Sequence, residues 1–136
     1  GCSSLTTAPE LPATILADNC YSAMFYNCTS LTKAPDLPAL TLTSECYLCM
    51  FYNCNKLKYI KCLATDLSAS KCTYNWMAYI PIDSDRIFVK SKNATWPRGW
   101  DGIPTNWLVI SDDVAEGLSS WFNKLWNWDW LWPWNK

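Results

Sequence analysis

The 136-residue chain is about one domain long; half of it is apolar and 17% is charged, which excludes a disordered polypeptide. Its net charge of -1 comes from mixed charges with no basic stripe, which excludes phosphate-backbone recognition and so nucleic acid as a partner. No apolar run reaches the roughly 18 residues that a membrane-spanning helix needs, so no transmembrane segment is expected.

From the first residue onward the chain repeats itself. Three cysteines fall at Cys2, Cys28 and Cys54, and three more at Cys20, Cys46 and Cys72, so both series step by 26. The same step relates Leu5, Leu31 and Leu57, then Leu11, Leu37 and Leu63, then Met24 and Met50, and Phe25 and Phe51. Pro9 and Pro12 recur as Pro35 and Pro38. A fixed period in the twenties predicts a solenoid, in which each unit buries its apolar side against its neighbours. One unit reads as an extended stretch near Leu31 to Ala34, then a proline-containing loop, because Pro35 and Pro38 oppose helix. A short helix is then predicted over residues 43–52, where Cys46, Cys49, Met50 and Asn53 recur at i, i+3, i+4 and i+7. Gly1 stands where Asn27 and Asn53 stand, in mid-unit. The expectation is that more repeats precede it or that another molecule covers that end.

The unit Cys-x-x-Leu-x-x-Ala-Pro-x-Leu-Pro, followed by Cys-x-x-x-Met-Phe-x-x-Cys, resembles the BspA-like leucine-rich repeat of surface proteins from anaerobic gut and oral bacteria. The resemblance covers residues 1 to about 72 as two good units and a degenerate third. Ile87-Phe-Val89, Trp96-Pro97, Asp101-Gly-Ile-Pro104 and Trp107 resemble the segment that closes such arrays. The resemblance implies an extracellular protein of a bacterial cell surface or a phage virion, one that adheres to host, matrix or other cells. The expected fold is therefore an α/β solenoid. It comprises leucine-rich-repeat-like coils over residues 1–72, a small β-rich C-terminal cap over 73–110, and a helix with an aromatic arm over 111–136.

Six of the eight cysteines belong to the two periodic columns, which predicts buried thiols. Column neighbours about 5 Å apart would also lie within disulfide reach. Cys46-x-x-Cys49 supplies one close pair where structural zinc takes two, so neither a metal nor a cofactor is expected. With no histidine the usual general base is absent, and serine or cysteine nucleophiles lack their normal activator. The acidic pairs Asp83 with Asp85 and Asp112 with Asp113 suit a turn and a helix N-terminus. Four glycines in the whole chain cannot build a phosphate loop. A non-enzymatic protein is expected.

Past the repeat, Arg86-Ile-Phe-Val-Lys90 and Trp107-Leu-Val-Ile110 read as strands around the loop Trp96-Pro-Arg-Gly-Trp-Asp-Gly-Ile-Pro104. Its tryptophans either pack inward as a cap or, with Trp96 and Trp100 exposed, form a sugar-binding platform.

Ser111, Asp112 and Asp113 open a helix expected over about 112 to 125. Val114, Leu118, Trp121, Leu125, Trp128 and Trp132 follow a heptad-like spacing. Trp126, Trp128, Trp130, Trp132 and Trp134 alternate with other residues, the pattern of a strand with one aromatic face. Such a surface must be covered, either by folding back on its own chain or, the preferred reading, by docking on another protein or a second copy. Trp121, Trp126, Trp128, Trp130, Trp132 and Trp134 are the candidate partner-binding residues. Asp112, Asp113, Glu116 and Asp129 outnumber Lys124 and Lys136, which argues against a membrane surface.

The expected function is surface recognition or adhesion by the repeat, anchored to a larger assembly by the arm. A structural part of a virion or cell-surface appendage is the second reading. A carbohydrate-binding module, with a host-surface glycan as partner, is the third.

Overall fold

The computed structural model describes residues 1–83 and 85–126. Its regular elements are β1 (Tyr59–Cys62), β2 (Ile87–Lys90), β3 (Leu108–Ser111) and α1 (Asp112–Trp126). The strands form one parallel sheet in the order β1-β2-β3, with Tyr59 beside Ile87 and Ile87 beside Leu108.

This overturns the expected α/β solenoid of leucine-rich-repeat type with its β-rich cap. The architecture is a small mixed α/β fold: one open three-stranded sheet, one helix, and long stretches of turn.

Prolines explain why the first strand forms so late in the chain. Segments one period earlier meet through isolated bridges, Thr7 with Lys33 and Lys33 with Tyr59. Pro35 and Pro38 have no N–H to extend pairing there. Lys61 and Ala64 stand 26 residues on from them, and at that point β1 forms.

Residues 43–52, predicted as helix, are a run of turns. An α-helix needs each N–H to reach the carbonyl four residues back. Here the N–H groups alternate. Those of Cys46, Leu48, Met50 and Tyr52 donate three residues back, to Thr43, Glu45, Tyr47 and Cys49. Those of Glu45, Tyr47, Cys49 and Phe51 leave the segment and donate to the carbonyls of Ser70, Cys72, Tyr74 and Trp76. Residues 19–27 donate in the same way to residues 44–52.

Glu45, Cys49 and Asn53 have positive φ of 54°, 51° and 58°, which a continuous helix does not allow. The resulting period is four, so Cys46, Tyr47, Met50 and Phe51 point inward and are at most 1% exposed. Cys49 and Asn53, placed on the inner face by helical spacing, are only half-buried.

Inside, rings from successive turn segments pile on one another. Tyr21 stacks on Tyr47 at 6.2 Å between centroids, and Tyr47 on Trp76 at 5.8 Å. Phe25 stacks on Phe51 at 5.7 Å. Trp76 is fully buried and meets Trp96 face to face at 5.4 Å and Phe88 edge-on at 6.1 Å.

The loop 96–104 closes over this column. Trp76 Nε1 donates to the Gly102 carbonyl at 2.8 Å, Asn75 N to Asp101 Oδ1 at 2.6 Å, and Met77 N to the Trp100 carbonyl at 3.1 Å. A Cβ on Gly102 would stand 2.1 Å from the Pro97 carbonyl oxygen, so the loop closes only with glycine there.

Ile60, Cys62 and Phe88 of the sheet join this main core. Tyr59 and Val89 form a second cluster with Ala115 of α1, flanked by Ile87 and Ile110. Arg86, 4% exposed, enters β2 by donating to the carbonyls of Leu57 and Asn55 and pairing with Asp83 at 2.6 Å. Asp85 pairs with Lys58 at 2.8 Å, so both carboxylates of this turn hold ion pairs.

Trp76→Ala should cost about 3–5 kcal/mol of stability, measured by urea denaturation, because it leaves a large cavity and an unmet carbonyl. Gly102→Ala should shift the midpoint in the same direction by forcing the loop open.

Candidate functional site

A row of aromatic rings runs along the outside of the turn segments. Tyr26 and Tyr52 lie 4.5 Å apart and nearly parallel, at 7°. Tyr79 meets Tyr52 edge-on at 5.1 Å, and Trp100 follows Tyr79 at 4.9 Å.

The local backbone puts them there. Tyr26 and Tyr52 each precede an asparagine at positive φ, Asn27 at 59° and Asn53 at 58°, and Tyr79 itself has φ of 62°. Each ring therefore sits at the closing corner of a turn segment, pointing away from the core. Trp100 is added by the loop that caps the column.

Tyr79 and Trp100 are 55% and 48% exposed, and Tyr26 and Tyr52 are half-buried by their neighbours. Beside the rings, the Asn53 amide donates to Asn27 Oδ1 at 3.1 Å. The Tyr52 phenol is held above the usual tyrosine range, first by lost hydration and then by the adjoining hydroxyls of Tyr79 and Tyr26.

Within the row, Tyr26 and Tyr52 spend ring faces on each other, so the row offers mainly edges and hydroxyls to an approaching molecule. That chemistry suits a rigid, amphipathic contact surface.

The other predicted site residues are spread over different settings. Trp96 and Trp100 do not form a shared platform. Trp96 is packed between Trp76 and Phe88 with its Nε1 buried and unpartnered, whereas Trp100 belongs to the outer row. Trp107 is buried and donates to the Pro81 carbonyl.

Trp121 lies on α1 and is 52% exposed. Trp126 ends that helix, and Trp128, Trp130, Trp132 and Trp134 lie outside the described residues.

Residues 6–12 and 32–38 part beyond the bridge between Thr7 and Lys33. Between them lies a groove of about 450 Å³ lined by Pro9, Pro12, Pro35, Pro38, Glu10 and Asp36.

All eight cysteines are free thiols. Cys28, Cys46, Cys54, Cys62 and Cys72 are buried, Cys49 is half-buried, and Cys2 and Cys20 are exposed. Members of each periodic series approach one another: Cys2 N donates to Cys28 Sγ at 3.5 Å, and Cys46 Sγ reaches the Cys72 carbonyl at 4.0 Å. Among the described residues no group of three or more histidine, cysteine or acidic side chains is arranged to hold a metal. Burial pushes the Cys46 thiol up to about 11 and those of Cys54 and Cys62 up to about 12.

No protein-family model, curated protein or solved structure matches the chain. Among the described residues no helix is long and apolar enough to cross a membrane.

The outer row was missed in sequence because its members come from four segments. Tyr26 and Tyr52 share one periodic position, but Tyr79 is offset by one and Trp100 comes from a loop outside the period.

Two predictions follow from the thiols. Under native conditions a thiol-specific reagent should label Cys2 and Cys20 rapidly, Cys49 more slowly, and the five buried cysteines only on unfolding. Folding raises the pKa of Cys46, Cys54 and Cys62 above their ordinary 9.0, so the folded state binds more protons than the unfolded one at alkaline pH. Their contribution is complete below pH 9 and is lost as pH rises through 11–12, so the urea midpoint should fall across that window.

Proposed function

We propose that the protein is a non-enzymatic recognition module that binds a protein partner through the row Tyr26, Tyr52, Tyr79 and Trp100. The single observation that carries this reading is the row itself: rings 4.5–5.1 Å apart, held by backbone corners and presenting hydroxyls and edges to solvent.

Tyrosine and tryptophan are the preferred anchors of protein interfaces, because they offer large contact areas at little entropic cost. The stacking immobilises these rings before any partner arrives, which lowers the cost of binding. The absence of histidine favours a binding role over a catalytic one.

The sequence resemblance to BspA-like surface proteins supports an extracellular setting, on a bacterial cell or a virion. There the Trp-rich C-terminal segment, with Trp126, Trp128, Trp130, Trp132 and Trp134, would anchor the module to a larger assembly. A structural role in a virion or appendage is the second reading, favoured by the concentration of tryptophan in that segment.

A glycan partner is less well supported. Sugars stack on open ring faces, and Trp96, half of the expected platform, is half-buried with one face stacked on Trp76.

The test is binding of the labelled full chain to epithelial cells and to immobilised matrix proteins. Binding should be abolished by protease treatment of the cells, and the double substitution Tyr52→Ser with Trp100→Ser should weaken it at least tenfold while circular dichroism shows the fold retained. Binding that ignores both substitutions would shift the function to the C-terminal segment. Loss after glycosidase treatment alone would favour a glycan.

A further inference from the structure

Helix α1 attaches to the sheet by a narrow strip. Among its described side chains Ala115 and Ser119 are buried, at 2% and 5% exposure. Ala115 packs on Tyr59 and Val89, with Ile87 and Ile110 alongside. On the other side, Val114, Leu118 and Trp121 are 49%, 41% and 52% exposed. These three follow steps of four and three, the spacing of a helix-pairing seam, and the spacing continues in sequence to Leu125. Among the described side chains the helix therefore places two small residues against the body of the protein and exposes three large apolar ones, the reverse of an ordinary surface helix.

We propose that this seam is the contact between two copies of the chain, with the two α1 helices packed antiparallel. Charge sets the direction. Asp112, Asp113 and Glu116 lie in the first turns, and Lys124 lies in the last turn. A parallel pair would put acid beside acid and add the two helix dipoles. An antiparallel pair cancels the dipoles and brings each basic end to an acidic one.

With Leu118 of one copy set against Trp121 of the other, Lys124 of the second copy falls at the level of Ala115, on the flank of the seam that carries Asp113 and Gly117. It then lies within one turn of Asp113. Gly117 contributes the space: a Cβ there would meet no atom within 4 Å, and without one the second helix comes closer along that flank. Asp113 is already ionised well into acid, held below the usual carboxylate range first by the Ser111 hydroxyl, so its charge is available throughout the neutral range. This contact is separate from the aromatic row and stands or falls without it.

The test is sedimentation velocity of the full chain over a range of concentrations, with far-UV circular dichroism and melting temperature as folding controls. The wild type should sediment as a dimer at high concentration. Leu118→Glu and Trp121→Glu, each on an exposed position, should weaken that dimer at least tenfold. Lys124→Glu alone and Asp113→Lys alone should each weaken it too, because each puts like charges together. An equimolar mixture of these two variants should recover the dimer, since every facing pair is then opposite in sign. The single reversals are what distinguish the antiparallel arrangement, because in a parallel pair each only exchanges one like-charge contact for another. A monomeric wild type would overturn the proposal. So would assembly that persists unchanged in the Leu118→Glu and Trp121→Glu variants, which would assign it to the Trp-rich segment. Single charge reversals that leave the dimer as strong as the wild type would overturn the antiparallel pairing.

Discussion

Every second backbone N–H in the turn segments points out of its own segment, and each must find an acceptor elsewhere. Residues 19–27 find theirs on residues 44–52, and residues 45–53 on residues 70–78. An unmet buried N–H costs a few kcal/mol, so these bonds fix the register between segments. The aromatic stacking inside and the row of rings outside are both consequences of that register. Where the donors of residues 73–77 have no further turn segment to meet, the loop 96–104 supplies the carbonyls of Trp100, Asp101 and Gly102 and the Asp101 carboxylate.

Trp76 joins the two kinds of structure. Its ring continues the column begun by Tyr21 and Tyr47, and its Nε1 fastens the closing loop. Through Phe88 and Trp96 it also reaches the sheet. The outer row depends on the same joint, because Trp100 reaches Tyr79 only when the loop is closed. The outer row is thus built from the ends of segments whose interiors do the packing.

Much of this was legible in the residues, and the gaps have physical causes. The 26-residue spacing identified which residues meet, for example Phe25 with Phe51 and Cys2 with Cys28. It did not give the secondary structure between them. Cys46, Met50 and Asn53 fit a helix, but the adjacent pairs Cys46 with Tyr47 and Met50 with Phe51 fit a four-residue turn period better. Positive φ at Glu45 and Cys49, residues with no turn preference, carries no sequence signal. The prolines oppose helix, but their larger effect is to confine the regular sheet to Tyr59 and beyond. Trp96 and Trp100 sit four apart in a loop, and nothing in that spacing tells that Gly102 folds the loop so that one ring goes in and the other out.

The stacked thiols carry a further consequence, for the lifetime of the protein. Cys46 and Cys72 are buried neighbours in the core, and packing shields both thiols from solvent. While the fold is closed, oxidants reach little beyond Cys2 and Cys20. Once it opens in an aerobic medium, the released thiols cross-link in combinations that the core geometry does not accommodate, and the chain cannot close again. Opening is then a one-way event, and the rate of that opening, more than the equilibrium stability, sets how long the molecule persists in an oxidising medium.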